Sequence, residues 1–354
     1  MDSLFMVKES DKQFYRKKLN DFLPDKIIDI HTHIWLDRFR SGSCRAPVRA
    51  AAWPWLVANE NSIEALQETY RLLFPGKEVT PLVFSQVSLE YDIEAGNAYV
   101  RECAQTHGLP ALRVTQPRES AADVEQAVES GGFLGIKVYL NFAEPYIPAK
   151  EIRIYDFLPH HQLEMLNRRG WIVMLHIPRD GRLKDPVNLA QLLEIEKKYP
   201  SLKLIVAHVG RAYCPEDIGN AFEVLADTKN MVFDISANTN AYVFQQLIKA
   251  VGSKRILFGS DFPIVRMRTK RICENGTYVN LVPQGLYGDV SGDRNMREVS
   301  GREAGDITFF IYEEIEAFRI AAEAEGLNRA DIERVFYGNA ESILASAAER
   351  RRGR

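Results

Sequence analysis

The chain has 354 residues, enough for two average domains or for one large α/β barrel. A composition of 46% hydrophobic and 26% charged residues excludes a disordered or fibrous protein, and a net charge of −3 excludes a global positive field for nucleic acid or an anionic membrane. A small-molecule partner is the expectation that remains.

In chain order, residues 1–24 form a charged leader, read as a helix, with no apolar segment of the kind a secretory signal needs. No later stretch reaches the 18 or so uncharged apolar residues of a membrane span, so a cytoplasmic protein is expected. Short β-rich runs then alternate with segments of helical period. The runs are 26–31, 79–87, 110–115, 134–140, 171–176, 202–208, 231–236 and 255–261. Predicted helices over 63–73, 92–106, 121–130, 158–169, 187–198, 215–226, 241–251 and 309–325 follow them one by one. Eight such units in an α/β chain predict a (β/α)8 TIM barrel: a single domain over 25–347, with a basic tail at 348–354.

Two connections are longer than a barrel requires, 34–62 after the first strand and 262–306 after the eighth. The first carries Trp53-Pro54-Trp55, suited either to closing over a ligand or to anchoring a second subunit in a homo-oligomer. The second is rich in Gly, Arg and Asn and reads as a partly mobile loop. The cysteines Cys44, Cys103, Cys214 and Cys273 are far apart with no CxxC pair, which predicts reduced thiols rather than a disulfide framework.

In a TIM barrel, catalytic side chains project from the carboxyl ends of the strands. Four of the seven histidines fall there: His31 and His33 after the first strand, His176 after the fifth and His208 after the sixth. Residues two apart on an extended chain share a side, so His31 and His33 can aim at one point, as a divalent ion requires. A lone histidine is more often a hydrogen-bonded core residue; four converging ones favour a site. Asp261 ends the eighth strand, which neighbours the first in a closed barrel, and suits metal coordination and proton transfer better than a bare turn role.

DIHTH at 29–33, MLHIP at 174–178, AHVG at 207–210, FGSDFP at 258–263 and YGNAESIL at 337–344 together resemble the amidohydrolase superfamily. Within it, the chain is similar to the amidohydrolase-related branch with its aminocarboxymuconate-semialdehyde decarboxylase-like enzymes. The resemblance implies that His31, His33, His176 and Asp261 hold a metal, and that His208 is an acid or base or a ligand of a second ion. It further implies that Asn339 is structural. Lys137 stands where binuclear relatives carry a carbamylated lysine; in a mononuclear enzyme it would be a cation for substrate. One ion is favoured over two. Zinc suits the donors best, with Mn²⁺, Fe²⁺ or Co²⁺ as alternatives.

The implied reaction is hydrolysis of a C–N or C–O bond of a small carboxylate by metal-activated water, with Asp261 and His208 handling protons. Arg113, Arg179 and Arg211, with Arg266 and Arg268 on the last loop, are candidates for binding the carboxylate, and Tyr139 and Trp35 for the pocket wall. A non-oxidative decarboxylase using the same groups is the main rival. A barrel that only binds is a weaker one.

Overall fold

The computed structural model describes residues 4–41 and 53–352; Cys44 lies outside them. All eight expected strands form: β1 Lys26–His33, β2 Glu78–Phe84, β3 Arg113–Val114, β4 Gly135–Val138, β5 Ile172–Leu175, β6 Lys203–Val206, β7 Val232–Asp234 and β8 Ile256–Leu257. Strands β3 to β8 pair in sequence as a six-stranded parallel sheet, and β1 pairs with β2. Two seams join these sheets. A parallel bridge between Val83 and Ala111 links β2 to the approach of β3. Past β8, Ile30 N donates to Phe258 O, Asp261 N donates to His31 O, and Thr32 bridges Phe262. The chain is therefore the (β/α)8 barrel that the alternation predicts.

Strands covered on both faces read as continuous apolar runs, and this sorting is visible residue by residue. Ile28, Ile30, Leu82, Phe84, Ile172, Met174, Ile205 and Leu257 fill the interior, while Val83, Ile136, Val138, Val173, Leu175 and Val206 pack outward against the helices. The helix Asn339–Arg352 adds Ala340 and Ala347 to the interior cluster. Asn339 Nδ2 donates to Ser253 O and Ile256 O, tying that helix to the start of β8.

Helices begin where a short polar side chain accepts a backbone N–H. Ser62 caps Ile63–Leu73, Asp92 caps Ile93–His107, and Asp185 with Pro186 after it opens Pro186–Lys198. The expected 215–226 helix is instead a short 3-10 turn, Pro215–Asp217, and a separate helix, Ala221–Leu225, with Gly219 between them at φ +53°. The leader is docked rather than loose: Asp11 is fully buried and pairs with Arg268 at 2.6 Å.

The connection after β8 departs most from expectation. It folds into a small sheet of β9 Lys270–Glu274, β10 Thr277–Pro283 and β11 Met296–Val299, in the order β11-β10-β9. Asn275 and Gly276, both at positive φ, make the tight antiparallel turn between β9 and β10. The cysteine expectation also fails for one pair. Cys214 and Cys273 form a disulfide across 59 residues with Cα atoms 5.8 Å apart, whereas Cys103 is a buried free thiol. Spacing along the chain carried no sign of this, because the pairing depends on the inserted sheet folding back over the loop after β6. Among the described residues, no helix is long and apolar enough to cross a membrane.

Candidate active site

The backbone at the strand ends is bent to aim the chemistry inward. On β1, Asp29 pairs with Pro81 but Thr32 pairs with Val83, so three steps on β1 face two on β2. Such a bulge changes which residues face in. Ile28 and Ile30 point into the barrel before it; after it His31 and His33 line the cavity, and Thr32 Oγ1 donates to Leu82 O. At β6, Ala207 is already an interior residue, so a regular strand would turn His208 outward. Left-handed backbone at His208 (φ +57°) and Val209 (φ +51°) re-aims the imidazole, and Asp261 adopts φ +68°. Non-glycine residues held in this region cost about 1–3 kcal/mol each and cluster at functional sites. Gly259 permits the closing contact, since a Cβ there would lie 2.9 Å from His31 Cβ.

Three of the donors form one cluster, and His33 and His176 stand beside it. One nitrogen each of His31 and His208 and one oxygen of Asp261 lie within 4.8 Å of one another. Asp261 Oδ1 is 3.3 Å from His33 Nε2 and 3.5 Å from His31 Nε2. The His176 ring lies 5.2 Å from that of His208 and 4.7 Å from that of Tyr139. All five residues, with Lys137, line one cavity of about 750 Å³ at the barrel mouth.

The hydrogen bonds settle which nitrogen each ring presents. His33 Nδ1 faces Ser85 O at 3.1 Å, and His208 Nδ1 faces Ser236 O at 3.1 Å. A carbonyl only accepts, so both Nδ1 atoms carry the proton and both Nε2 lone pairs are free. His31 Nδ1 donates to Asp234 Oδ2 at 2.9 Å, which leaves its Nε2 as the acceptor. His176 Nδ1 is buried with no hydrogen-bond partner. Three oriented lone pairs, a carboxylate and an orphaned imidazole nitrogen are the donor set that a divalent cation completes.

Charge follows burial. Burial, reinforced by Lys137 for His31 and by Arg211 for His176, holds both imidazoles well below the usual histidine range. Burial lowers His208 as well. For Asp261, burial alone would raise the carboxyl, but the adjacent His33, His31 and His208 outweigh it and the carboxyl is lowered. Burial therefore favours neutral His31, His176 and His208 beside an ionised Asp261. Lys137 Nζ stands 3.2 Å from His31 Nε2, and burial brings its pKa down to about 8.

Several supporting groups were not anticipated from sequence. Asp234, at the end of β7, accepts from His31 Nδ1, His208 N, Ser236 N and Ser236 Oγ, so one buried carboxylate orients two rings. Asp29 accepts from Tyr70 OH and Ser260 N, and burial lifts it to about 7. The only available signal was that both acids stand in otherwise apolar strands.

Arg211, Tyr139 and Trp35 line the cavity as expected. Arg113 and Arg179 do not. Arg113 is buried between Glu94 and Glu119 at 2.7 and 2.6 Å, and Arg179 pairs with Asp185 at 3.2 Å. Their charges are spent within the framework. Arg268 is likewise held by Asp11, while Arg266 packs on Phe5; neither lines the cavity. Arg182 and Arg271 line it instead. Trp53 is buried, donates to Tyr278 OH, and lines the cavity with Trp55, so the tryptophan pair serves the site wall.

The amidohydrolase family profile (Amidohydro_2) matches residues 28–271, well over half the chain and spanning every strand of the barrel. The chain belongs to the amidohydrolase family. It is an enzyme of a metal-dependent family, as the motifs implied. No curated protein matches the sequence. Solved structures similar to this amidohydrolase include a probable 2-pyrone-4,6-dicarboxylic acid hydrolase from Acinetobacter baumannii with citric acid bound (16% identity, 90% of this chain and 99% of that one, TM-score 0.54). A dihydroxybenzoic acid decarboxylase from Polaromonas with manganese and an inhibitor is similar at 14% identity (91% and 97% covered, TM-score 0.52). A 4-oxalomesaconate hydratase from Rhodopseudomonas palustris is similar at 16% (92% and 98% covered, TM-score 0.52). At these identities the likeness concerns the fold.

Proposed function

We propose that this amidohydrolase hydrolyses a C–N or C–O bond of a small carboxylate-bearing substrate, with His31, His33, His176 and Asp261 holding one divalent ion. The observation that carries the reading is the set of oriented Nε2 lone pairs around Asp261 at the barrel mouth. A divalent ion held there, zinc by preference with manganese, iron(II) or cobalt as alternatives, supplies Lewis acidity and a hydroxide nucleophile near neutral pH.

The chain's own groups then manage protons and position. Asp261, ionised at rest, accepts the proton lost by the attacking water at its Oδ. His208 has Nδ1–H fixed by Ser236 O, so Nε2 is the atom that exchanges a proton with the leaving group. The walls of Trp35, Trp53 and Tyr139 exclude bulk water from the reacting bond.

Metal analysis of gently purified protein, followed by assay against amides, lactones and free aromatic acids, tests this. The expected result is about one ion per chain and ring opening or amide cleavage lost in Asp261→Asn. Release of CO2 without hydrolysis would replace the reading with a carboxy-lyase, in which His208 delivers its proton to carbon. A protein that takes up no divalent ion would reject both.

A further inference from the structure

Of the arginines that line the cavity, Arg182 is neutralised by Asp217 at 2.6 Å and Arg294 stands exposed. The other two, Arg211 and Arg271, are partly buried and have only neutral partners. Arg211 Nη1 donates only to the backbone carbonyls of Ile177, Pro178 and Arg179. Arg271, on β9, donates from Nε to Asn280 Oδ1 at 2.8 Å and from Nη1 to Ala237 O at 2.7 Å, both neutral acceptors. Its guanidinium sits 4.2 Å from the Tyr278 ring, 4.4 Å from Phe310 and 4.9 Å from Tyr213. Neither arginine has an ion-pair partner among the described residues. Glu314, on the helix Phe310–Ala324, is buried and makes no ion pair with Arg271; burial raises its carboxyl above the usual range. Of the acids that line the cavity, Asp261 belongs to the donor set, and Asp180 and Asp289 lie on the exposed rim.

A guanidinium confined among rings and lacking an anion is costly to keep unless a ligand completes it, and its fork matches a carboxylate. The site also has a mechanical tie. Arg271 and Cys273 are two apart on β9 and so share a face, and Cys273 is bonded to Cys214, the residue after Tyr213 and three after Arg211. The disulfide thus holds the strand carrying one cation to the loop carrying the other.

We propose that Arg271, with Arg211, forms the subsite that selects a carboxylate on a flat, conjugated skeleton, and that the Cys214–Cys273 disulfide is what positions Arg271. This deepens the hydrolase reading and rests on it for the claim that the cavity's ligand is the substrate. The tyrosines and tryptophans of the wall supply the stacking faces for such a skeleton.

The test uses benzoate and its neutral isostere benzamide as probes, with binding followed by calorimetry on both metal-free and metal-loaded protein. Wild type is expected to prefer benzoate at least tenfold, and Arg271→Gln to lose that preference with an unchanged melting temperature. Dithiothreitol opens the disulfide by passing two electrons and two protons to the sulfurs, becoming a cyclic disulfide itself. That treatment, or Cys273→Ser, is expected to weaken benzoate binding in wild type but to have no further effect in Arg271→Gln. In the loaded enzyme the same changes are expected to raise KM for a carboxylate substrate at least tenfold with kcat within threefold. Equal binding of benzoate and benzamide by wild type, or an Arg271→Gln protein that binds benzoate normally, overturns the subsite. Should Arg271→Gln fold poorly, exposed Cys273→Ser decides the positioning claim, and Arg211→Gln decides the anion claim. A wild-type benzoate preference that Arg271→Gln abolishes, in a protein that binds no metal and hydrolyses nothing, would sink the hydrolase while leaving the subsite standing.

Discussion

Replacing Asp234 by Asn isolates the group that orients the donor set without touching any donor. The side chain is fully buried, keeps its shape on substitution, and retains an oxygen for His208 N and Ser236. What changes is the atom facing His31 Nδ1 at 2.9 Å, which becomes an NH2 donor. Two donors cannot face each other, so His31 must place its proton on Nε2, the atom aimed at Asp261 and Lys137. Losing such a partner behind a ligating histidine typically weakens metal affinity by about 10- to 100-fold, or about 1.4–2.8 kcal/mol. The loss of a hydrogen bond to a charged group costs about 1.5–3 kcal/mol of stability besides. Competition with a chromophoric chelator measures the first quantity, denaturant unfolding of metal-free protein the second, and nitrogen NMR of the His31 ring reports the tautomer. Wild-type metal affinity together with an Nδ1–H tautomer in the variant would refute the reasoning.

Chelator treatment should lower the unfolding free energy by up to about 4 kcal/mol where the free ion exceeds its Kd a thousandfold, and readdition of zinc or manganese should restore it; calorimetric melting without any shift would count against a metal site. Gly259→Ala places a Cβ 2.9 Å from His31 Cβ and 3.3 Å from Ile30 Cγ2, so it should destabilise the fold by about 1–3 kcal/mol and depress kcat by displacing His31; unchanged melting and turnover would show that the seam is looser than described. Arg113→Met breaks two ion pairs away from the cavity and should cost about 1–3 kcal/mol of stability while leaving KM within twofold; a large KM rise would restore Arg113 to the substrate site.

Much of the architecture was legible because it is written locally. The strands are short apolar runs and most of the helices amphipathic ones, several with a polar cap, and these periodicities survive without knowledge of neighbours. The ligand candidates were legible for the same reason: His31, His33, His176 and Asp261 stand at the ends of recognisable runs, where any barrel must present them. The inserted sheet was readable in part, since Asn275-Gly276 between alternating residues is a hairpin signal. The arginines were not legible. Whether a guanidinium is spent on an acid, as Arg113 and Arg179 are, or left facing a cavity, as Arg211 and Arg271 are, depends on which acids packing brings near. The disulfide also sits poorly with the reducing cytoplasm expected from the leader.

Local order along the chain thus decided the barrel, the strand ends and the residue types that could bind an ion. Tertiary structure alone decided that a bulge in β1 and left-handed backbone at His208 turn those residues inward, that Asp234 orients two of the rings, and that Cys214 reaches Cys273. The physical reason is range: propensity and periodicity act over a few residues, whereas hydrogen-bond partners, counter-ions and crosslinks belong to atoms separated by tens to hundreds of residues and meet only after the ring of strands has closed.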